Sequence, residues 1–195
     1  MFCSIIEQDF LFCLKEIHMF PVLTTERLVL RKVEQTDAAA VLKGYGDPLV
    51  NQHMSVVYNS LEEVQVQLDW YNEIYNTGEG IWWAFCKKEN PAVVIGNGGL
   101  HQYKQEHKCV ELGYWILPEE QGHGYASEAI RSICAYAFTT MDVHRIEAIV
   151  EGENNASMQL LTKLGFAHEG ARKECELKNG RYIDLHYFAL LNPAH

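Results

Sequence analysis

A glycine-rich turn with the composition of a phosphate-binding site lies at Gln121-Gly122-His123-Gly124-Tyr125-Ala126. A strand-like apolar run at 109–117 precedes it, and apolar residues at helical spacing follow it from Ala126 to Met141. Because glycine has no Cβ, the backbone of such a turn can bend tightly and approach a ligand closely. The N–H groups and the positive dipole end at the start of the following helix attract phosphate. The sequence therefore predicts that this turn binds a pyrophosphate.

Two familiar phosphate-binding loops do not fit the turn. A Walker loop needs Gly-x-x-x-x-Gly-Lys-Ser/Thr, and no Lys stands in this turn. A dinucleotide-binding loop needs Gly-x-Gly-x-x-Gly, and no third glycine follows Gly122 and Gly124 at that spacing. The pattern that remains is Gln-x-x-Gly-x-Ala, from Gln121 to Ala126.

This pattern resembles the acyl-CoA loop of the GNAT superfamily of N-acetyltransferases, usually written Gln/Arg-x-x-Gly-x-Gly/Ala. The flanking segments resemble its RimJ/RimL subfamily, the ribosomal-protein N-terminal acetyltransferases. These segments are the strand at 111–119, the sequence Asn154-Asn155-Ala156-Ser157 followed by Leu164-Gly165-Phe166, and the opening Thr25-Glu26-Arg27-Leu28. The resemblance extends from about Leu23 to Leu191.

The resemblance implies an α/β (α+β) GNAT fold, with a mixed, mostly antiparallel sheet of six to seven strands and about four helices on both faces. Its central strands, one ending near Leu117 and one beginning near His144, would splay and admit the pantetheine of acetyl-CoA. A backbone N–H on the 114–116 segment would then stabilise the thioester oxygen. The residues expected to bind the cofactor are Tyr114, Trp115, Ile116, Leu117, Gln121, Gly122, His123, Gly124, Tyr125, Ala126, Asn154 and Ser157. For Tyr114 and Trp115 core packing is the alternative.

The resemblance also suggests two catalytic residues. Glu111 is expected to accept the proton of the amine, directly or through water, because its position matches a strand glutamate with that role in several superfamily members. It lies in phase with Gly113 and Trp115, so all three should point to one face. Ser157 is expected to protonate the leaving thiolate, since the slot where many relatives place a tyrosine is occupied here by Leu161. The alternatives are a structural or ion-paired glutamate and a serine that only caps a helix.

Composition and local patterns bound the remaining architecture. A chain of 195 residues with 16 basic and 26 acidic residues, a formal charge of −10, suits one acidic domain and is a poor match for nucleic acid. No apolar run approaches the roughly 18 residues needed to span a membrane. The six cysteines lack Cys-x-x-Cys spacing and zinc-type histidine pairing, so we expect no metal site and a reduced, cytoplasmic protein. Whether the protein forms a homodimer remains open.

Residues 1–18 are expected to be an N-terminal extension, and 19–195 a single N-acetyltransferase domain. The extension is apolar but carries Glu7 and Asp9 and no early Lys or Arg, which is not the pattern of a secretory signal. Within the domain, Ser60-x-x-Glu63 predicts the start of a helix that ends at Gly78. Asn179-Gly180 predicts a hairpin between the last two strands.

The acceptor is expected to be a protein N-terminal α-amine, by direct transfer in a ternary complex. An α-amine has a pKa near 8 and lysine one near 10.4, so the neutral fraction at pH 7 differs by roughly two to three decades and a weak base suffices. Small amines such as polyamines, amino acids or aminoglycosides remain open as acceptors, because acceptor recognition follows no short motif. Two other classes also remain, a non-catalytic acyl-CoA-binding module and a nucleotide-phosphate binder.

Overall fold

The computed structural model describes residues 19–54 and 56–194, so the expected N-terminal extension at 1–18 lies outside the described residues. The strands are β1 (Leu23–Thr24), β2 (Leu28–Lys32), β3 (Ile81–Lys87), β4 (Asn90–Lys104), β5 (Cys109–Ile116), β6 (Arg145–Glu151), β7 (Ala167–Lys178) and β8 (Arg181–Leu191). The helices are α1 (Ala38–Gly46), α2 (Pro48–Asn51), α3 (Leu61–Thr77), α4 (Tyr125–Thr139) and α5 (Asn155–Lys163).

The strands form one mixed sheet in the order β1-β2-β3-β4-β5-β6-β8-β7. Every neighbouring pair is antiparallel except β5 and β6, which are parallel. The predicted fold class is confirmed, with eight strands in the described part of the chain rather than six or seven. The additional strand, β1, has two residues and is too short to show any periodicity in the sequence.

The splay between the central strands follows from their register. β5 pairs with β6 only at Cys109–Arg145, Val110–Ile146 and Glu111–Glu147. From Leu112 to Ile116, β5 continues beside β4 alone. A gap therefore opens in the middle of the sheet immediately after Glu111, as the resemblance implied.

Two hydrophobic cores cover the two faces of the sheet. Alternate residues of β5 point to opposite faces, so Val110 and Leu112 join one core and Trp115 joins the other. The first core packs under α4 and α5, and we call this side the α4 face. The second core packs under α1 and α3, and we call this side the α1 face.

Local sequence signals set the ends of the elements. The Ser60 side chain accepts a hydrogen bond from the Glu63 N–H at 3.2 Å, which caps α3 as predicted, and α3 ends before Gly78. At the predicted hairpin, Asn179 and Gly180 have φ values of 50° and 77°, the left-handed pair that a tight two-residue turn requires. No helix in the described part of the chain is long and apolar enough to cross a membrane.

Candidate active site

The glycine turn leads directly from β5 into the first turn of α4. Gly122 and Gly124 adopt left-handed φ values of 77° and 82°, which side chains with a Cβ rarely tolerate. Gly124 is the N-cap of α4 and offers no capping side chain, so the first N–H groups of the helix are left for another acceptor. The turn at 121–124 is exposed to solvent. This arrangement can bind an anion such as a diphosphate.

The backbone of β5 presents a free edge to the gap. The N–H of Leu117 donates to the carbonyl of Ile95 on β4 at 2.9 Å, and backbone groups alternate sides along a strand. The N–H and C=O groups of Trp115 therefore face β4, whereas those of Tyr114 and Ile116 face the gap. The Gln121 side chain reaches the Ile116 carbonyl at 3.3 Å, which agrees with this orientation. An extended ligand in the gap could bond to Tyr114 and Ile116 as a strand would.

Ser157 lies beside this edge on the α4 face. Asn154 caps α5, because its Oδ1 accepts a hydrogen bond from the Ser157 N–H at 3.1 Å. The Ser157 hydroxyl is 2.7 Å from the hydroxyl of Tyr114. Burial raises the pKa of Tyr114 to about 12, so the phenol stays protonated at neutral pH and can donate a hydrogen bond to the Ser157 oxygen. The serine hydrogen is then available to a third group.

Glu111 lies on the opposite, α1 face, in phase with Gly113 and Trp115 as predicted. Burial and the neighbouring carboxylate of Glu147 raise the pKa of Glu111. Its Oε1 is 3.7 Å from Nε2 of His101, whose own pKa is lowered by burial, so this imidazole is a weak partner for a charge. Among the described residues, no Lys or Arg forms an ion pair with Glu111. A half-buried carboxylate of this kind is a stronger base than one in water.

An aromatic wall that the sequence did not reveal lies next to Glu111, which it meets through His101. His101 packs against Trp70 and Trp82, with ring centroids 5.8 and 5.9 Å apart, and the two indoles are 5.4 Å from each other. These residues come from β4, α3 and β3, and the sheet register together with the placement of α3 brings them together. Aromatic faces beside carboxylates attract an alkylammonium group.

Trp115 and Leu117 do not present their side chains to the gap. They are 4% and 5% exposed and belong to the core of the α1 face. The indole of Trp115 lies against α1 at Gly44, where a Cβ would be 2.3 Å from Cη2. Core packing therefore accounts for both side chains, and because the N–H groups of both residues face β4, neither residue offers a donor to a ligand in the gap.

The remaining turn residues line the exposed side of the site. The His123 ring stacks on Tyr125 at a centroid distance of 5.8 Å, and Ala126 begins the buried side of α4. Apart from Trp115 and Leu117, which lie in the core, the structure places the predicted cofactor residues along the gap and the turn that follows it, with Ser157 on one face of the sheet and Glu111 on the other.

Known proteins are similar to this chain in sequence and architecture. Residues 27–167 match the family described as Acetyltransferase (GNAT) domain. A Bacillus subtilis (strain 168) protein described as the uncharacterized N-acetyltransferase YoaA is 32% identical over 176 residues, which cover 90% of this chain and 99% of that protein. The [ribosomal protein uS5]-alanine N-acetyltransferase of Escherichia coli (strain K12) is 30% identical over 180 residues, covering 88% of this chain and 91% of that enzyme.

A solved structure extends the comparison to three dimensions. The spermidine N-acetyltransferase from Vibrio cholerae, crystallised in complex with CoA and spermine, superposes with a TM-score of 0.75 at 26% identity. The match covers 85% of this chain and 95% of that one.

Proposed function

The chain belongs to the GNAT acetyltransferase family, and from that premise we propose that it acetylates the N-terminal α-amine of a protein, as a RimJ/RimL-type enzyme. It is an N-acetyltransferase, and its acetyl donor is acetyl-CoA. The observation that carries the proposed acceptor is the setting of Glu111, a half-buried carboxylate of raised pKa at the point where β5 leaves β6. A base of this strength suits an α-amine better than a lysine, because the α-amine is already partly neutral at pH 7.

The residues around the gap fit acetyl-CoA. The N–H groups at 122–126 would hold the diphosphate, and the free edge of β5 would hold the amides of pantetheine. Because the N–H groups of Tyr114 and Ile116 point into the gap, one of these two would stabilise the developing negative charge on the acetyl oxygen. The N–H of Trp115 faces β4 and has no such role.

Ser157 would act as the proton donor and Glu111 as the proton acceptor in the acetyl transfer. Ser157 would donate its hydroxyl proton to the departing thiolate while the Tyr114 hydroxyl donates a hydrogen bond to the serine oxygen over 2.7 Å. The proton that the amine loses to Glu111 and then to solvent balances the one that the serine regains from solvent. Glu111 would accept the proton of the amine, which approaches from the α1 face. Each such proton transfer typically contributes about 10²–10⁴ in rate.

A small polyamine is the second candidate acceptor. The carboxylate of Glu111, together with the indoles of Trp70 and Trp82, makes the α1 face attractive to alkylammonium groups. The Vibrio cholerae relative is named for spermidine, which gives this candidate a precedent in the family.

An assay of thiol release from acetyl-CoA distinguishes the protein N-terminus from the polyamine as the acceptor. The panel contains peptides with a free N-terminus and no lysine, the same peptides with a blocked N-terminus and one internal lysine, spermidine, and free amino acids. We expect turnover on the free N-termini and little on the blocked peptides. Turnover on spermidine alone would establish the polyamine candidate and refute the protein acceptor.

A further inference from the structure

The opening segment Thr25-Glu26-Arg27-Leu28 takes no part in the function proposed above, yet it forms a well-defined turn between β1 and β2. The Thr25 N–H donates to the Leu28 carbonyl at 3.0 Å, and the Leu28 N–H donates to the Thr25 hydroxyl at 2.9 Å. This closed turn points its remaining donors toward the first turn of α4.

Three of these donor groups, the Thr25 hydroxyl and the backbone and side chain of Arg27, converge on the carboxylate of Glu128. Its Oε1 accepts from the Thr25 hydroxyl at 2.5 Å and from the Arg27 N–H at 2.7 Å. Its Oε2 accepts from Nε of the Arg27 guanidinium at 2.7 Å, and Nη2 lies at the same distance. Although burial opposes the shift, these hydrogen bonds hold the pKa of Glu128 below its ordinary value. The side chain of Glu128 is thus fixed in charge and direction.

Arg27 also touches the glycine turn itself. Its Nη1 donates to the carbonyl of His123 at 3.0 Å. Its guanidinium carbon lies 4.6 Å above the ring of Tyr125, and a Cβ on Gly124 would be 3.5 Å from Nη2. One side chain therefore joins the β1–β2 turn, the first turn of α4 and the carbonyl side of the turn at 121–126.

The charge of Glu128 explains why its ion pair with Arg27 matters for binding a diphosphate. A carboxylate in the first turn of a helix is stabilised by the helix dipole, but it would repel a diphosphate arriving at the same N-terminus. The guanidinium of Arg27 neutralises the carboxylate and holds it against the β1–β2 turn. Its hydrogen bond to the His123 carbonyl orients the turn so that its N–H groups stay free.

We infer that Arg27 is a positioning residue for acetyl-CoA, which sets the conformation of the turn at 121–126 and shields the diphosphate from Glu128. The inference rests on the proposed binding of the diphosphate at this turn. It assigns a role in the enzyme to the opening segment, about 100 positions from the site in sequence.

The test compares Arg27→Gln, Arg27→Lys and Arg31→Gln. Arg31 is the matched control, because it lies on β2 and its guanidinium makes two hydrogen bonds to Asp37, at 2.7 and 2.9 Å, away from the turn. For each variant, calorimetry gives the Kd for CoA, steady-state kinetics gives kcat and both KM values, and circular dichroism gives the melting temperature. Binding is measured below the melting temperature of each variant.

Arg27→Gln is expected to weaken CoA binding and raise the KM for acetyl-CoA roughly tenfold, the effect of losing a charge-assisted hydrogen bond. The kcat at saturating acetyl-CoA and the KM for the acceptor should stay near the wild-type values. Arg27→Lys should recover part of the loss, because it keeps the charge without the planar guanidinium. Arg31→Gln should lower the melting temperature while the Kd for CoA is unchanged.

A folded Arg27→Gln whose Kd for CoA stays within about twofold of wild type would overturn the inference, since a lost charged hydrogen bond should cost more. So would an equal loss of CoA affinity in Arg31→Gln, because the effect would then be one of general stability. A wild-type protein that does not bind CoA would instead refute the cofactor site itself, so the two failures are distinguishable.

Discussion

The hydroxyl groups of Tyr114 and Ser157 lie 2.7 Å apart although 43 positions separate them in sequence. Tyr114 comes from the strand that borders the gap and Ser157 from the first turn of α5, so the pair joins the two sides of the proposed cofactor site on the α4 face. A phenol that remains protonated can donate a hydrogen bond to the serine oxygen, which leaves the serine hydrogen free to point into the gap. This relationship supports the proposal that Ser157 protonates a thiolate in the gap.

Ser157→Ala is expected to lower kcat by about 10²–10³, because the leaving thiolate loses its proton donor. The Kd for CoA should change little, since the backbone N–H that Asn154 caps is retained. Thr162→Ala is the control, because Thr162 lies on α5 with its hydroxyl bonded to the Met158 carbonyl, away from Tyr114. An unchanged kcat in Ser157→Ala would remove the serine from the mechanism.

Glu111 should determine the acid side of the pH profile. It acts as a base only when ionised, and its pKa is raised, so kcat/KM should fall as pH drops through a value above the ordinary one. The charged groups that shift it are Glu147 on β6, which raises the pKa, and Lys104 on β4, which lowers it, with the imidazole of His101 adjacent. Glu147→Gln should therefore shift the fall in kcat/KM on the acid side of the pH profile to lower pH. Glu111→Gln should abolish this fall and lower the rate by about 10²–10⁴. If kcat/KM falls at the same acidic pH in wild type and in Glu111→Gln, another group is the base.

The same raised pKa predicts the effect of Glu111 on stability. A carboxyl whose folded-state pKa is raised favours the folded state while protonated, and that contribution is lost as pH rises through the folded pKa. At pH 7 the ionised carboxylate should therefore destabilise the protein. Glu111→Gln is expected to melt at an equal or higher temperature than wild type at pH 7 while being far less active. A lower melting temperature would indicate that the glutamate is a structural residue.

The conformation of the turn can be tested with two glycines of the same geometry. Gly122 and Gly180 both have φ of 77°, and at neither would an added Cβ meet an atom within 4 Å. Alanine at either site should cost a similar amount of stability, about 1 kcal/mol, from the strained backbone alone. Only Gly122→Ala should also weaken CoA binding, because Gly180 lies in the β7–β8 hairpin. Equal CoA affinities would mean that the backbone at 122 does not contact the cofactor.

Gly44 tests the packing of Trp115. A Cβ at this position would fall 2.3 Å from the indole, so Gly44→Ala should destabilise the protein by about 1–3 kcal/mol, the usual cost of overpacking. Chemical denaturation measures the change. If Gly44→Ala has the same free energy of unfolding as wild type, α1 and β5 can move apart at Gly44 without loss of stability.

Local signals in the sequence predicted the features that depend on neighbouring residues. The glycine turn, the helix after Ser60 and the hairpin at Asn179-Gly180 each follow from residue types a few positions apart. The family resemblance supplied the splay of the central strands, which no local pattern contains. Strand alternation also placed Glu111 and Trp115 on one face correctly.

Contacts between distant segments could not be predicted in this way. The alternation of β5 says which way Trp115 points, but not that α1 crosses it at Gly44 and buries it. The wall of Trp70, Trp82 and His101, like the contact of Arg27 with Glu128, depends on sheet register and helix placement. These are tertiary properties, set by packing over the whole chain.

The most direct test of the cofactor site is amide hydrogen exchange at single-residue resolution, by NMR, with and without CoA. The amides of Gly113 and Trp115 face β4 and serve as internal controls whose slow exchange should not depend on CoA. The amides of Tyr114, Ile116 and the turn at 122–126 face the gap or the solvent, and CoA should slow their exchange at least about tenfold. Saturating CoA that leaves the exchange of Tyr114, Ile116 and the turn unchanged would contradict the account.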